Sequence, residues 1–227
     1  MDLDMKPAFL IAWMSLACVP PTATSAGVVR GTLHVPAAKT DTPAMNAYPG
    51  QANSMAMCPP VTHGLVTDAV VYVETVPARV ESTLAAMPAA TPKLAQKGQT
   101  FVPRVVAVAA GSAVDFPNMD PIYHNVFSLS PARRFDLGKY PQGSSRRVEF
   151  RKPGLVNVFC EIHSDMAAYV LVLPNHAFTR PTTAGDFRLP DLPAGSYKLH
   201  VWHPDLGDQV MNLDVPESGD VLQALSY

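Results

Sequence analysis

Apolar and polar positions alternate along this chain in short runs, each ended by proline, glycine or a polar cluster. Gly27-Val28-Val29-Arg30-Gly31-Thr32-Leu33-His34-Val35 predicts a first strand and Asp68-Ala69-Val70-Val71-Tyr72-Val73-Glu74 a second. Residues 101–108 predict a third, which turns at Ala110-Gly111-Ser112 into another over 113–118. His124-Asn125-Val126-Phe127-Ser128 is the next, and 135–138 and 146–150 predict short strands around a Tyr140-Pro141-Gln142-Gly143 turn. Lys152-Pro153-Gly154 leads into an alternating run of Leu155, Val156, Val158 and Phe159, and residues 168–173 close the series. Residues 183–204 then alternate about a Pro193-Ala194-Gly195 turn. Residues 36–60 and 80–97 show no such period and read as loops or linkers. The expectation is an all-β chain of β-sandwich type.

Composition agrees with this picture. The 23 prolines interrupt the chain too often for long helices. Met5-Lys6 and the short apolar run through Leu16 have the shape of a signal peptide over residues 1–26, with a cleavage point after Thr24-Ser25-Ala26. Export to the periplasm or beyond is therefore expected. Ser15-Leu16-Ala17-Cys18 approaches a lipidation motif, with its leucine one place off. No stretch is long enough to predict a membrane span. Loss of Asp2, Asp4 and Lys6 with the leader takes the net charge from −2 to −1, which recommends neither nucleic acid nor an anionic membrane surface as partner.

Candidate chemistry is concentrated in Phe159-Cys160-Glu161-Ile162-His163-Ser164-Asp165-Met166. A thiol, an imidazole and a thioether stand at intervals of three just after a strand, and His124 opens another strand upstream. One cysteine, two histidines and a methionine are the donors of a mononuclear type 1 copper centre, trigonal His₂Cys with a weak axial thioether. His124, Cys160 and His163 are the expected equatorial ligands and Met166 the axial one. A thioether is a poor zinc ligand, and covalent haem attachment needs a different cysteine pattern. With Cys18 lost in the leader, only Cys58 and Cys160 remain, and a metal-bound Cys160 leaves Cys58 without a disulfide partner. Cys58 stands with Met55, Met57 and His63 in a stretch that offers soft donors for an accessory Cu(I) loop, or is simply rich in methionine.

Over residues 99–174 the segment resembles the cupredoxin family, with the short ligand loop of amicyanins. The run Phe101-x-Pro103, Gly111, Val114-x-Phe116-x-Asn118 and His124-Asn125 carries the likeness with the Cys160 loop. The resemblance implies a Greek-key β-sandwich over 97–174. It also implies that Asn125 buttresses the ligand loop and donates toward the thiolate. The tail, Gly185-x-Phe187-x-Leu189 with Leu192-Pro193-Ala194-Gly195-x-Tyr197-x-Leu199, resembles carboxypeptidase-regulatory-like (prealbumin-like) β-sandwich domains. Such domains begin with strands like those at Gly31 and Ala69. One discontinuous sandwich over 28–76 and 175–227, with the copper domain inserted, is therefore expected. The competing division gives residues 69–74 to the cupredoxin sheet and leaves the tail as an appendage. Proteins of this two-part kind are often labelled methylamine-utilisation or plastocyanin-like.

These observations imply an exported copper protein that passes single electrons between redox partners. The alternatives are a copper carrier that loads through the Met55–His63 region, or a binding module whose metal site is vestigial. Met119, Pro121 and Ile162 are the expected docking patch, and Arg133, Arg134, Arg146, Arg147 and Arg151 form a modest basic cluster. No set of residues reads as a catalytic base or nucleophile, so an enzyme is not expected. His200 and His203, three apart on a strand, are expected on opposite faces rather than in one metal site.

Overall fold

Two-residue alternation decides which side chains turn inward, and here it builds stacked sheets. The computed structural model describes residues 26–36, 39–41 and 61–227. Five strands form one sheet in the order Arg133–Tyr140, His124–Ser130, Gly154–Phe159, Ala167–Leu173 and Val105–Ala109, the last pair parallel. Facing it are the paired strands Ser112–Pro117 and Ser145–Phe150. Val106, Val108, Val126, Val156, Val158, Val170 and Val172 from the larger sheet meet Val114, Phe116, Val148 and Phe150 from the smaller, all buried. Strands Ala95–Lys97 and Thr100–Val102 pair at one end, so the run expected over 101–108 is two strands broken at Pro103-Arg104. Proline has no N–H to continue the ladder, while Arg104 keeps its carbonyl paired by accepting from the Tyr169 N–H at 2.9 Å.

The remaining strands make a second pair of sheets. Ala26–His34 runs parallel to Asp220–Ser226 on one side and antiparallel to Asp186–Arg188 and Leu192–Pro193. Opposite lie Phe178–Thr179, Val70–Val73, Gly195–His203 and Gly207–Val215, all antiparallel. Gly31 is required where its strand meets Phe187, because a Cβ there would lie 2.6 Å from the Phe187 ring. Residues 80–97, expected as a loop or linker, instead take in most of the helix Ala78–Ala85 and the whole strand Ala95–Lys97. Glu81 docks this helix by accepting from His176 Nδ1 at 2.7 Å and the His176 backbone N–H at 2.9 Å. Helical period is hidden there because the apolar stripe is only Val80 and Leu84, partly buried against the second core.

Four strands are covered on both faces and join the two halves, one of them Gly195–His203, where Leu199 and Val201 enter the second core and Trp202 the interface. Val71 and Val73 enter the second core, while Val70 on the same strand faces Val105, Leu171, Leu173 and Trp202. On Val105–Ala109 and Ala167–Leu173 the even-numbered valines fill the first core, and Val105, Leu171 and Leu173 fill this interface. That is why these segments read as continuous apolar runs.

One polar device lies inside the first core. Tyr140 Oη donates to the Phe116 carbonyl at 2.9 Å and accepts from Gln96 Nε2 at 2.5 Å, with the residue 1% exposed. Burial pushes its phenol up to about 12. Tyr140→Phe leaves both partners unpaired in a dry core and is expected to cost about 1–3 kcal/mol. Urea denaturation checks it: the midpoint falls while the slope is unchanged.

Candidate metal centre

The His124–Ser130 and Gly154–Phe159 strands are neighbours in the five-stranded sheet, with Phe127 opposite Phe159. This register brings the start of one strand to the end of the other, so His124 and Cys160 meet across 36 residues. Cys160 Sγ lies 3.9 Å from His124 Nδ1 and 3.8 Å from His163 Nδ1. The three donor atoms fall within 4.8 Å of one another. With a metal–thiolate bond of about 2.3 Å and metal–imidazole bonds of about 2.0 Å, a near-trigonal ion sets sulfur and nitrogen about 3.7 Å apart. The observed separations fit such an ion.

Backbone geometry holds the loop. Cys160 N–H donates to the Met166 carbonyl at 3.3 Å, and Met166 N–H to the His163 carbonyl at 3.1 Å. Met166 is 1% exposed and belongs to the same buried cluster as Cys160. Among the described residues Cys160 is the free cysteine. Asn125 accepts from the Glu161 N–H at 3.2 Å through Oδ1, which ties the strand of His124 to the loop of Cys160. Its Nδ2 donates to Asp136 Oδ1 at 2.7 Å, which ties the strand of His124 to its neighbour Arg133–Tyr140. Met55, Met57 and Cys58 lie outside the described residues. His63 closes a short strand, Val61–His63, and its side chain also lies outside them.

Sequence reasoning gave no role to Asp120, and the structure places it against His124. Its Oδ2 lies 2.9 Å from His124 Nε2, while Oδ1 and Oδ2 accept from the backbone N–H groups of Gly98 and Gln99 at 2.6 and 2.9 Å. Burial alone would raise the Asp120 carboxyl, but these donors and His124 outweigh it and hold it below the usual carboxylate range. Asn118 braces the same loop: its Oδ1 accepts from Asp120 N–H, and its Nδ2 donates to the carbonyls of Ile122 and Tyr140. The visible hint was an aspartate four residues before the histidine in a proline-broken loop. At His163 burial lowers the imidazole pKa and the nearby His124 lowers it further, with Asp120 opposing. A neutral ring with a free lone pair is the form that binds a metal.

Around the site Met119, Ile122, Tyr123 and Ile162 are exposed apolar side chains beside exposed Pro121. Ile122 and Tyr123 were not in the expected patch. Much of the arginine cluster is occupied: Arg147 pairs with Asp115, Arg151 with Glu149, and Arg146 lies over the Tyr140 ring. His200 and His203 separate as expected, His200 stacked on Tyr72 at 4.6 Å and His203 fully buried beside Tyr227. Among the described residues no helix is long and apolar enough to cross a membrane.

No protein-family sequence profile matches the chain, and no curated protein does. Among solved structures it is similar to a copper-containing nitrite reductase from Thermus scotoductus SA-01, at 24% identity and a TM-score of 0.36 over 38% of this chain and 23% of that one. It is also similar to amicyanin from Paracoccus versutus, at 20% identity and a TM-score of 0.33 over 45% of this chain and 96% of that one. A purple cupredoxin from Nitrosopumilus maritimus gives 20% identity and a TM-score of 0.30 over 33% and 82%. The chain thus spans less than a quarter of the nitrite reductase. Likenesses this distant assign no activity to it. The all-β architecture and the convergence of donors rest on the geometry described above.

Proposed function

We propose that this chain is an exported, cupredoxin-like type 1 copper protein that carries single electrons between redox partners. The observation that supports this most is the meeting of His124 Nδ1, Cys160 Sγ and His163 Nδ1 beside buried Met166. His124, Cys160 and His163 would hold the ion, with Met166 as the weak axial ligand. Copper bound to such a set supplies reversible one-electron chemistry between its two common oxidation states.

The protein's own part is to keep those donors in place in either state. Buried Cys160 is fixed from its backbone by Met166, and Asn125 locks the following peptide. His163, only partly buried, stands at the surface end of the site. The apolar rim of Met119, Pro121, Ile122, Tyr123 and Ile162 offers a partner a face from which water is readily expelled. In this reading the donor set and the apolar rim among the described residues support a carrier role. The second half, in this reading, is a prealbumin-like sandwich that supports the copper half through the Val70–Trp202 interface.

Titration of the mature protein with Cu(II), followed by visible absorption and electron spin resonance, tests the reading. An intense thiolate-to-copper band at one copper per chain, bleached by ascorbate and restored by oxidation, is expected. A colourless product, or copper in an ordinary tetragonal environment, overturns it.

A further inference from the structure

We propose that Asp120 is a positioning residue for the copper site: its carboxylate holds the proton of His124 on Nε2, aims Nδ1 at Cys160 and biases the site toward the oxidised ion. This inference rests on the copper reading above and adds a residue and a direction to it. His124 is fully buried, and its two ring nitrogens have distinct neighbours, Asp120 Oδ2 at 2.9 Å from Nε2 and Cys160 Sγ at 3.9 Å from Nδ1. A carboxylate only accepts, so the nitrogen facing it is the one that carries hydrogen, and the lone pair is left on Nδ1.

Asp120 is itself held. Gly98 and Gln99 donate to it from a turn in which Gln99 has φ +57°, and Asn118 fixes its backbone. The carboxylate therefore sits where the fold puts it, 7% exposed, and does not swing with solvent. A carboxylate hydrogen-bonded to a ligating imidazole makes the ring a stronger donor, and its charge close to the ion favours the higher oxidation state. A purely structural alternative exists, in which Asp120 only closes the Gly98-Gln99 turn and His124 is a bystander. The two differ in what happens to the metal.

The experiment compares wild type, Asp120→Asn and Asp120→Ala. Each is loaded with Cu(II) for its reduction potential and its Cu(II) and Cu(I) affinities. The metal-free proteins are examined by ¹⁵N NMR for the tautomer of His124. Asp120→Asn retains an acceptor oxygen but not the charge. It is expected to raise the potential and to weaken Cu(II) binding by about 10–100-fold, with a smaller change for Cu(I). Asp120→Ala is expected to do both and also to release the fixed Nε2–H tautomer. A wild-type blue band with unchanged potential and affinities in Asp120→Asn overturns the role of Asp120 and leaves the copper reading standing. If wild type shows no blue band, the copper reading falls and NMR decides the positioning claim. A fixed Nε2–H tautomer lost in Asp120→Ala supports that claim, and an Nδ1–H or mixed tautomer in wild type overturns it.

Discussion

Cys160→Ser is expected to abolish the thiolate-to-copper band completely while leaving the fold intact. The band requires a sulfur anion bonded to the ion, and a serine hydroxyl neither ionises near neutral pH nor offers a soft donor orbital. The fold survives for a local reason. Cys160 is 4% exposed, but its sulfur faces His124 Nδ1 and His163 Nδ1, so a buried hydroxyl in its place still finds hydrogen-bond partners. Residual Cu(II) in the variant is expected to be held by the imidazoles alone and to give a weak, tetragonal spectrum. Absorption, electron spin resonance and thermal melting of the variant check the two halves together. A blue band that persists in Cys160→Ser would remove Cys160 from the site.

Arg104→Ala is expected to cost about 3–5 kcal/mol near neutral pH, because it breaks a mostly buried ion-pair cluster by removing one partner. Arg104 donates to both oxygens of Asp205 at 2.7 and 2.6 Å, reaches Asp68 Oδ2 at 3.4 Å and lies over the Tyr169 ring. These contacts tie the first half of the molecule to the second. The cost should depend on pH with a definite sign. Burial raises the Asp68 carboxyl above its ordinary value, and Arg104 is the largest influence holding it down. For an acid whose pKa is raised on folding, the native state keeps a proton that the unfolded chain has released. Stability therefore falls as pH rises through the window between the unfolded and folded values. Without Arg104 that window widens upward, so the penalty should shrink as pH is lowered toward the ordinary carboxylate range, where Asp68 can be buried neutral. Chemical denaturation of both proteins across acid to neutral pH measures this. A penalty that is equal at both ends would show that the lost packing on Tyr169, rather than charge, is responsible.

Much of the site and many of the strands were legible in the chain because they depend on neighbours in sequence. The spacing of Cys160, His163 and Met166 puts three donors in one loop whatever surrounds it, and alternation at residues 112–117 or 154–159 names the inward face directly. The helix over Ala78–Ala85 is not legible for the same reason in reverse: its apolar stripe is only Val80 and Leu84, partly buried against the second core and too short to show a period. Residues 101–108 carry one apolar period, and periodicity alone does not register the missing N–H of Pro103, where the run divides into Thr100–Val102 and Val105–Ala109.

Neighbours along the chain thus settle an all-β architecture, the inward faces of its strands, and a loop whose donor types suit copper. Long-range packing supplies the rest. The meeting of His124 with Cys160 depends on two strands becoming neighbours, and the parallel pairing of Ala26–His34 with Asp220–Ser226 joins opposite ends of the described chain. Asp120 acquired its place against His124, and Arg104 its carboxylates, only when loops from distant strands were packed together. The physical reason is that strand periodicity specifies a face and leaves the partner open. The partner is chosen by burial and hydrogen-bond satisfaction summed over the whole fold.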